Sequence, residues 1–221
     1  MRKSTGQAPQ EGQGKAMLDE SALRTAMDVL ASRDAAIAAA VARVGYPDPR
    51  GRAPGYETLL RTIISQQVSV AAAKAVWTRL EAALGSGCAP EALLAADAET
   101  LRACGLSRQK QGYARSLAEL VTSGALDLHA LPEDDEAAIA ELVRIKGIGR
   151  WSAEIYLLFA EGRPDIWPAG DLAVQVAVGT ILGLPERPSE KHVRTLAEAW
   201  RPHRSAMAIM AWHHYNTQAL A

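Results

Sequence analysis

Between residues 21 and 216 almost every segment repeats its apolar residues at helical spacing, and almost none alternates in the way a half-buried strand does. Residues 21–32, 35–44, 56–66, 70–84, 109–122 and 133–143 are rich in Ala, Leu, Glu and Arg, all good helix formers. Start signals agree with that pattern: Ser21, Asp97, Ser107 and Ser189 precede helical runs as N-caps, and Pro132 stands where a first turn tolerates proline. Stop signals agree as well, because Gly45, Gly85, Gly105, Gly124 and Gly183 each follow such a run. The sequence therefore predicts an all-α chain of about ten helices, arranged as two helical lobes with a cleft between them.

Composition limits what such a chain does. Hydrophobic residues make up 48% and charged residues 22% of the 221 positions, ample material for a core. Lys and Arg number 24 against 25 Asp and Glu, so the net charge of −1 gives no global attraction to nucleic acid or membrane. DNA binding would have to be local. Two cysteines, Cys88 and Cys104, are too few for a disulfide framework or an all-cysteine metal site; they suit a reduced cytoplasm and argue against an iron–sulfur cluster. Residues 1–20 are polar and rich in Gln and Gly, which predicts a disordered tail before a domain spanning 21–221. No apolar run reaches the roughly 18 residues of a membrane span.

Two local features carry chemistry. The stretch "IKGIGRW" (145–151) lies between two helical runs and reads as the turn of a helix–hairpin–helix. Gly147 and Gly149 lack side chains, so backbone N–H groups and the positive end of the following helix dipole can approach a phosphate, flanked by Lys146 and Arg150. The same glycines would equally serve a close helix–helix corner. The second feature is Asp171, which follows Pro168-Ala169-Gly170 and opens an apolar helix. By position it is an N-cap. A carboxylate among helix N–H groups also suits stabilising positive charge or activating water.

Four ordered stretches, "LLRTIISQQVSVAAAKAVWTRL", "LVRIKGIGRWSAEIYLLFA", the Pro-rich loop into Asp171, and "WRPHRSAMAIMAWHHYN", resemble the helix–hairpin–helix DNA glycosylases with a Gly/Pro-rich loop and catalytic Asp. Among these the chain is similar to the DNA-3-methyladenine glycosylase II branch, over about residues 35–216. The resemblance implies an all-α fold; some members carry an extra N-terminal β domain, and too few residues precede Ala35 to build one, which predicts the compact form. It also implies base flipping from duplex DNA and hydrolysis of the N-glycosidic bond of alkylated purines, with no cofactor.

Residue by residue, the resemblance makes Asp171 the catalytic carboxylate. Trp151 falls where lyase members carry a Schiff-base lysine, which implies a monofunctional hydrolase. Trp151, Trp212 and Tyr156 form the base pocket, where aromatic faces attract cationic bases; core packing is the other reading of each tryptophan. Gln66, Gln67, Lys146, Gly147, Gly149, Arg150 and Ser152 contact DNA, with Gln67 as the wedge that fills the gap left by the flipped nucleotide. A polar helix end would account for both glutamines without DNA. The carbonyls of Val143, Ile145 and Ile148 would hold a structural Na⁺ or K⁺. Two positions depart from the family pattern: Lys146 replaces the proline of "PGIG", and Ile155 replaces an aromatic residue. Trp77, Trp167 and Trp200 are read as structural, and the adjacent His213 and His214 diverge too far on a helix to form a metal pair. The expected partner is alkylated duplex DNA, bound by a cytoplasmic monomer. A non-catalytic helix–hairpin–helix DNA-binding module is the alternative; it would keep the glycines without needing Asp171.

Overall fold

The computed structural model describes residues 18–219, and within them the chain is helical without strands. Asp19 starts α1 (Glu20–Arg33), its carboxylate accepting the Ala22 N–H at 2.7 Å. Ser21 is thus inside the helix and not its cap, because an aspartate two residues earlier takes that role. The expected tail falls mostly on residues 1–17, outside the described residues, while Asp19 and Glu20 already belong to the helix and its cap. Asp34 ends α1 and caps α2 (Ala35–Val44), which turns the two into a hairpin.

A proline-bearing loop leads to α3 (Tyr56–Ser65) and α4 (Val70–Leu84). Two six-residue helices follow, α5 (Pro90–Ala95) and α6 (Ala98–Ala103), too short to show a period in the sequence. Next come α7 (Arg108–Thr122), α8 (Asp135–Leu142) and α9 (Arg150–Phe159). Asp134, whose carboxylate accepts the Ala137 N–H at 2.8 Å, sets the start of α8. Pro132 consequently lies before the helix rather than in its first turn, and its carbonyl accepts a hydrogen bond from buried Arg163. The chain ends with α10 (Leu172–Ile181), α11 (Glu190–Leu196) and α12 (Arg204–Ala219).

Packing sorts these into two groups. Helices α3 to α7 pack around α3 and α7, with α9 against α3 and α8 against α9. In the other group α12 is central, contacting α1, α2 and α10. The second lobe therefore joins the N-terminal hairpin to the C-terminal helices. Apolar side chains from both groups form one core, including Leu60, Ile63, Leu117, Leu157, Val178 and Met207. Trp77, Trp167 and Trp200 are buried as expected, the last two meeting edge to face with centroids 5.0 Å apart.

Two loops, 45–55 and the one that leads to Asp171, are fastened to helices. The Gly55 N–H donates to the Tyr156 hydroxyl at 2.8 Å and the Arg52 N–H to the Phe159 carbonyl at 2.8 Å, pinning the 45–55 loop on α9. On the other side, the Ser205 hydroxyl accepts the Ile166 N–H at 2.9 Å and holds the loop that leads to Asp171.

Candidate active site

The two hairpin glycines have different surroundings. Gly147 adopts φ +84°, and a Cβ there would lie 2.2 Å from the Tyr113 ring, so both backbone and packing demand glycine. Gly149 is the N-cap of α9 at φ −92°, with open space where a Cβ would be. No side chain caps α9, whereas Asp or Ser side chains cap α1, α2, α4, α7, α8 and α10. Its first-turn N–H groups therefore have no side-chain acceptor at the N-cap.

Asp171 caps α10, Oδ1 accepting the Val174 N–H at 3.0 Å. Oδ2 accepts the indole N–H of Trp151 at 2.9 Å, which ties the carboxylate to the first turn of α9. The loop before it is held by hydrogen bonds: the Asp171 N–H donates to the Pro168 carbonyl and the Gln175 amide to the Ala169 carbonyl. Trp151 is 46% exposed and Leu172, next to Asp171, is 56% exposed, an unusual apolar display. Trp151, Ser152 and Ile155 of α9 face a cavity of about 580 Å³, with Gln66, Lys110 and Tyr113 on its other walls.

Beside this cavity α3 ends abruptly. Gln66 is extended, and Gln67 is exposed in the left-handed region at φ +55°, which a non-glycine residue adopts only where its surroundings impose it. Val68 and Val70 beyond it are 44% and 88% exposed. The turn 66–69 thus projects a strained polar residue followed by bare valines, while Gln66 Nε2 reaches back to the Gly147 carbonyl at 2.8 Å.

The protruding turn and the uncapped hairpin helix border one cavity, with Asp171 joined to its wall through Trp151, and residues 60–202 match the model of the HhH-GPD superfamily of base excision DNA repair proteins. The chain belongs to this superfamily. It is 35% identical over 170 residues to DNA-3-methyladenine glycosylase 1 of Schizosaccharomyces pombe, covering 75% of this chain and 73% of that one. A DNA-3-methyladenine glycosidase of Bacillus halodurans shares its structure with a TM-score of 0.80 at 29% identity, over 88% of this chain and 91% of that one. The S. pombe 3-methyladenine DNA glycosylase, solved with abasic DNA, gives 0.74 at 33% identity over 89% and 98%.

Within this HhH-GPD chain two expected site residues, Tyr156 and Arg150, face away from the cavity. Tyr156 is 3% exposed and occupied by Gly55; it sits behind the cleft because Ile155 takes the facing position on α9. Burial pushes its hydroxyl up to about 12, so it serves as a neutral anchor. Arg150 does not reach toward the hairpin opening. Its guanidinium forks onto Glu136 of α8 and meets Glu154 at 2.8 Å. Ser152 is buried in the cavity wall. Trp212 is half-buried on Phe159 with centroids 5.4 Å apart.

Lys146 is exposed, and its N–H donates to the Ser116 hydroxyl at 3.2 Å, a bond that the family's proline could not make. The Ile145 carbonyl accepts the Ile148 N–H at 3.0 Å. His213 bonds the Val44 carbonyl and His214 meets Arg43. Sequence reasoning missed Lys110, Tyr113 and Glu154. Only Glu154 carried a signal, a charge four residues after Arg150 on one helix face; its carboxyl is 2% exposed and shifted upward by burial, against the pull of Arg194 and Arg150.

Proposed function

We propose that this chain is a monofunctional DNA glycosylase that flips alkylated purine nucleotides out of duplex DNA and hydrolyses their N-glycosidic bond, with Asp171 as the catalytic carboxylate. The observation that carries this reading is the 2.9 Å bond from Trp151 to Asp171, which fixes a carboxylate beside an exposed aromatic face at the cleft. Each Asp171 oxygen accepts one protein hydrogen bond and keeps lone-pair capacity for a substrate.

N-alkylation makes a purine cationic and a good leaving group. The bond from C1′ to the base nitrogen breaks with its electron pair going to the base, leaving an oxocarbenium-like sugar. Asp171 stabilises that cation and takes the proton of the water that adds to C1′. Trp151 and Trp212 offer aromatic surface to the cationic base, worth about 0.5–2 kcal/mol. A tryptophan at position 151 forms no Schiff base, so strand cleavage does not follow.

Around this chemistry Gln67 enters the minor groove, and the uncapped first turn of α9 at Gly149 takes a phosphate, with the exposed Lys146 ammonium nearby. A structural Na⁺ or K⁺ would use the carbonyls of Val143, Ile145 and Ile148; the Ile145 oxygen, already bonded to the Ile148 N–H, retains a second lone pair for it. No cofactor is needed. The relatives' names and the DNA-bound relative support the substrate class, and action on DNA in the cytoplasm belongs to the same proposal.

Asp171→Asn tests it. The amide keeps the shape and one acceptor oxygen for the Val174 N–H but removes the charge and the acceptor for the Trp151 indole, so duplex binding should hold and the thermal midpoint should fall only slightly, while excision of methylated purines falls by about 100-fold or more. Turnover within a few-fold of the unaltered protein would remove Asp171 from the mechanism.

A further inference from the structure

Lys110 lines the same cavity as Trp151, yet its ammonium points to protein. Nζ donates to the Ile64 carbonyl at 2.6 Å, one of the last carbonyls of α3 that has no partner within its own helix. A lysine in that place also meets the negative end of the α3 dipole. Two residues beyond Ile64 the chain leaves the helix, and three beyond it Gln67 takes up its left-handed conformation. Such a conformation persists only when neighbouring contacts over-determine it. Those contacts are Lys110 on Ile64, Gln66 on the Gly147 carbonyl at 2.8 Å, and Ser69 capping α4 at the Ala72 N–H.

Tyr113 lies one turn after Lys110 on the same face of α7. Its ring supports Gly147 so closely that no side chain fits between them, and Gln109 on the preceding turn donates to its hydroxyl. One helix face therefore carries both the base of the 66–69 turn and the underside of the hairpin. A duplex gripped by the hairpin while a wedge enters its groove needs those two loops at a set separation, and misplacement by about 1 Å can cost as much as 100-fold in rate.

We propose that Lys110 is a positioning residue which, with Tyr113, fixes the 66–69 turn relative to the hairpin and so governs nucleotide flipping, instead of serving as a phosphate contact. The proposal rests on the glycosylase reading above. Its rival is the ordinary one for a lysine in a DNA-binding cleft, and the two differ in what they change. Loss of a phosphate contact weakens all duplexes alike and lowers the salt slope of binding by about 0.9. Loss of a positioning bond leaves that slope alone and impairs flipping.

The experiment uses the full chain with Lys110→Met and Lys110→Arg. It measures excision from dimethyl-sulfate-methylated duplex, fluorescence of a 2-aminopurine placed beside the lesion, and undamaged-duplex affinity over a salt series. Lys110→Met should lose about tenfold in kcat and most of the fluorescence rise, with KM, duplex affinity and salt slope within twofold of the unaltered protein. Lys110→Arg, which can still reach the Ile64 carbonyl, should recover most of the loss. Should Lys110→Met fail to fold, Lys110→Gln, which stays polar but is one atom shorter than the lysine that reaches the Ile64 carbonyl, should give the same split. Uniform loss of affinity with a shallower salt slope, or unchanged excision and fluorescence in the folded variant, overturns the proposal. An unaltered protein that releases no methylpurine would instead defeat the glycosylase reading, so the two failures are distinguishable.

Discussion

Gly147 and Gly149 stand two residues apart and answer to different constraints. At Gly147 an alanine would suffer a left-handed backbone, about 1–2 kcal/mol, and collision with the Tyr113 ring besides. Gly147→Ala should therefore lower the thermal midpoint clearly. At Gly149 the backbone is ordinary and the space is empty, so alanine costs only its poorer N-capping, about 1 kcal/mol at most. If the α9 terminus takes a phosphate, the added methyl intrudes on it, and Gly149→Ala should weaken damaged and undamaged duplexes equally, by about tenfold. Duplex titrations alongside melting curves for both variants check this. A Gly149→Ala protein that binds normally would move the phosphate site off the hairpin.

The elements meet through contacts that a one-dimensional pattern shows only in part. Helix spans and the caps at Asp97, Ser107, Asp171 and Ser189 were legible because each depends on neighbours within four residues. The Trp151–Asp171 bond spans 20 residues and the Lys110–Ile64 bond 46, and no local pattern encodes either. Arg150 shows the limit most plainly, since its position beside the hairpin suggests phosphate while its side chain braces α8 to α9 through Glu136 and buried Glu154. Hydrogen bonding to Glu136 raises the Arg150 pKa and holds Glu136 below the usual carboxylate range. Arg150→Ala should accordingly cost stability, about 1–3 kcal/mol because Glu154 loses a partner while Arg194 remains at 3.6 Å. Its binding to duplex should keep the salt slope of the unaltered protein. A slope reduced by about one would restore Arg150 to the phosphate contacts.

At the scale of the whole molecule, one lobe is closed by the packing of α1 and α2 on α12, and its seam contains a titratable group. His214 of α12 is fully buried against Arg43 of α2. Burial, then the charges of Arg43 and His213, lower its pKa below the ordinary 6.5. The unfolded chain therefore takes up a proton before the folded one does. Stability from this seam is complete above about pH 6.5 and declines as pH falls toward the lower folded value. Melting curves between pH 8 and 5 should show that decline, and His214→Gln should flatten it; an unchanged pH profile in the variant would place the acid sensitivity elsewhere. The seam holds together the lobe from which α10 presents Asp171 to α9, so the catalytic proposal depends on its closure. The most direct test of that proposal is product analysis with the unaltered protein on methylated duplex DNA under borohydride. Free methylated purines identified by mass, an intact strand bearing abasic sites and no protein–DNA adduct are predicted. A duplex that keeps all its methylated bases, or an adduct with a cut strand, would contradict it.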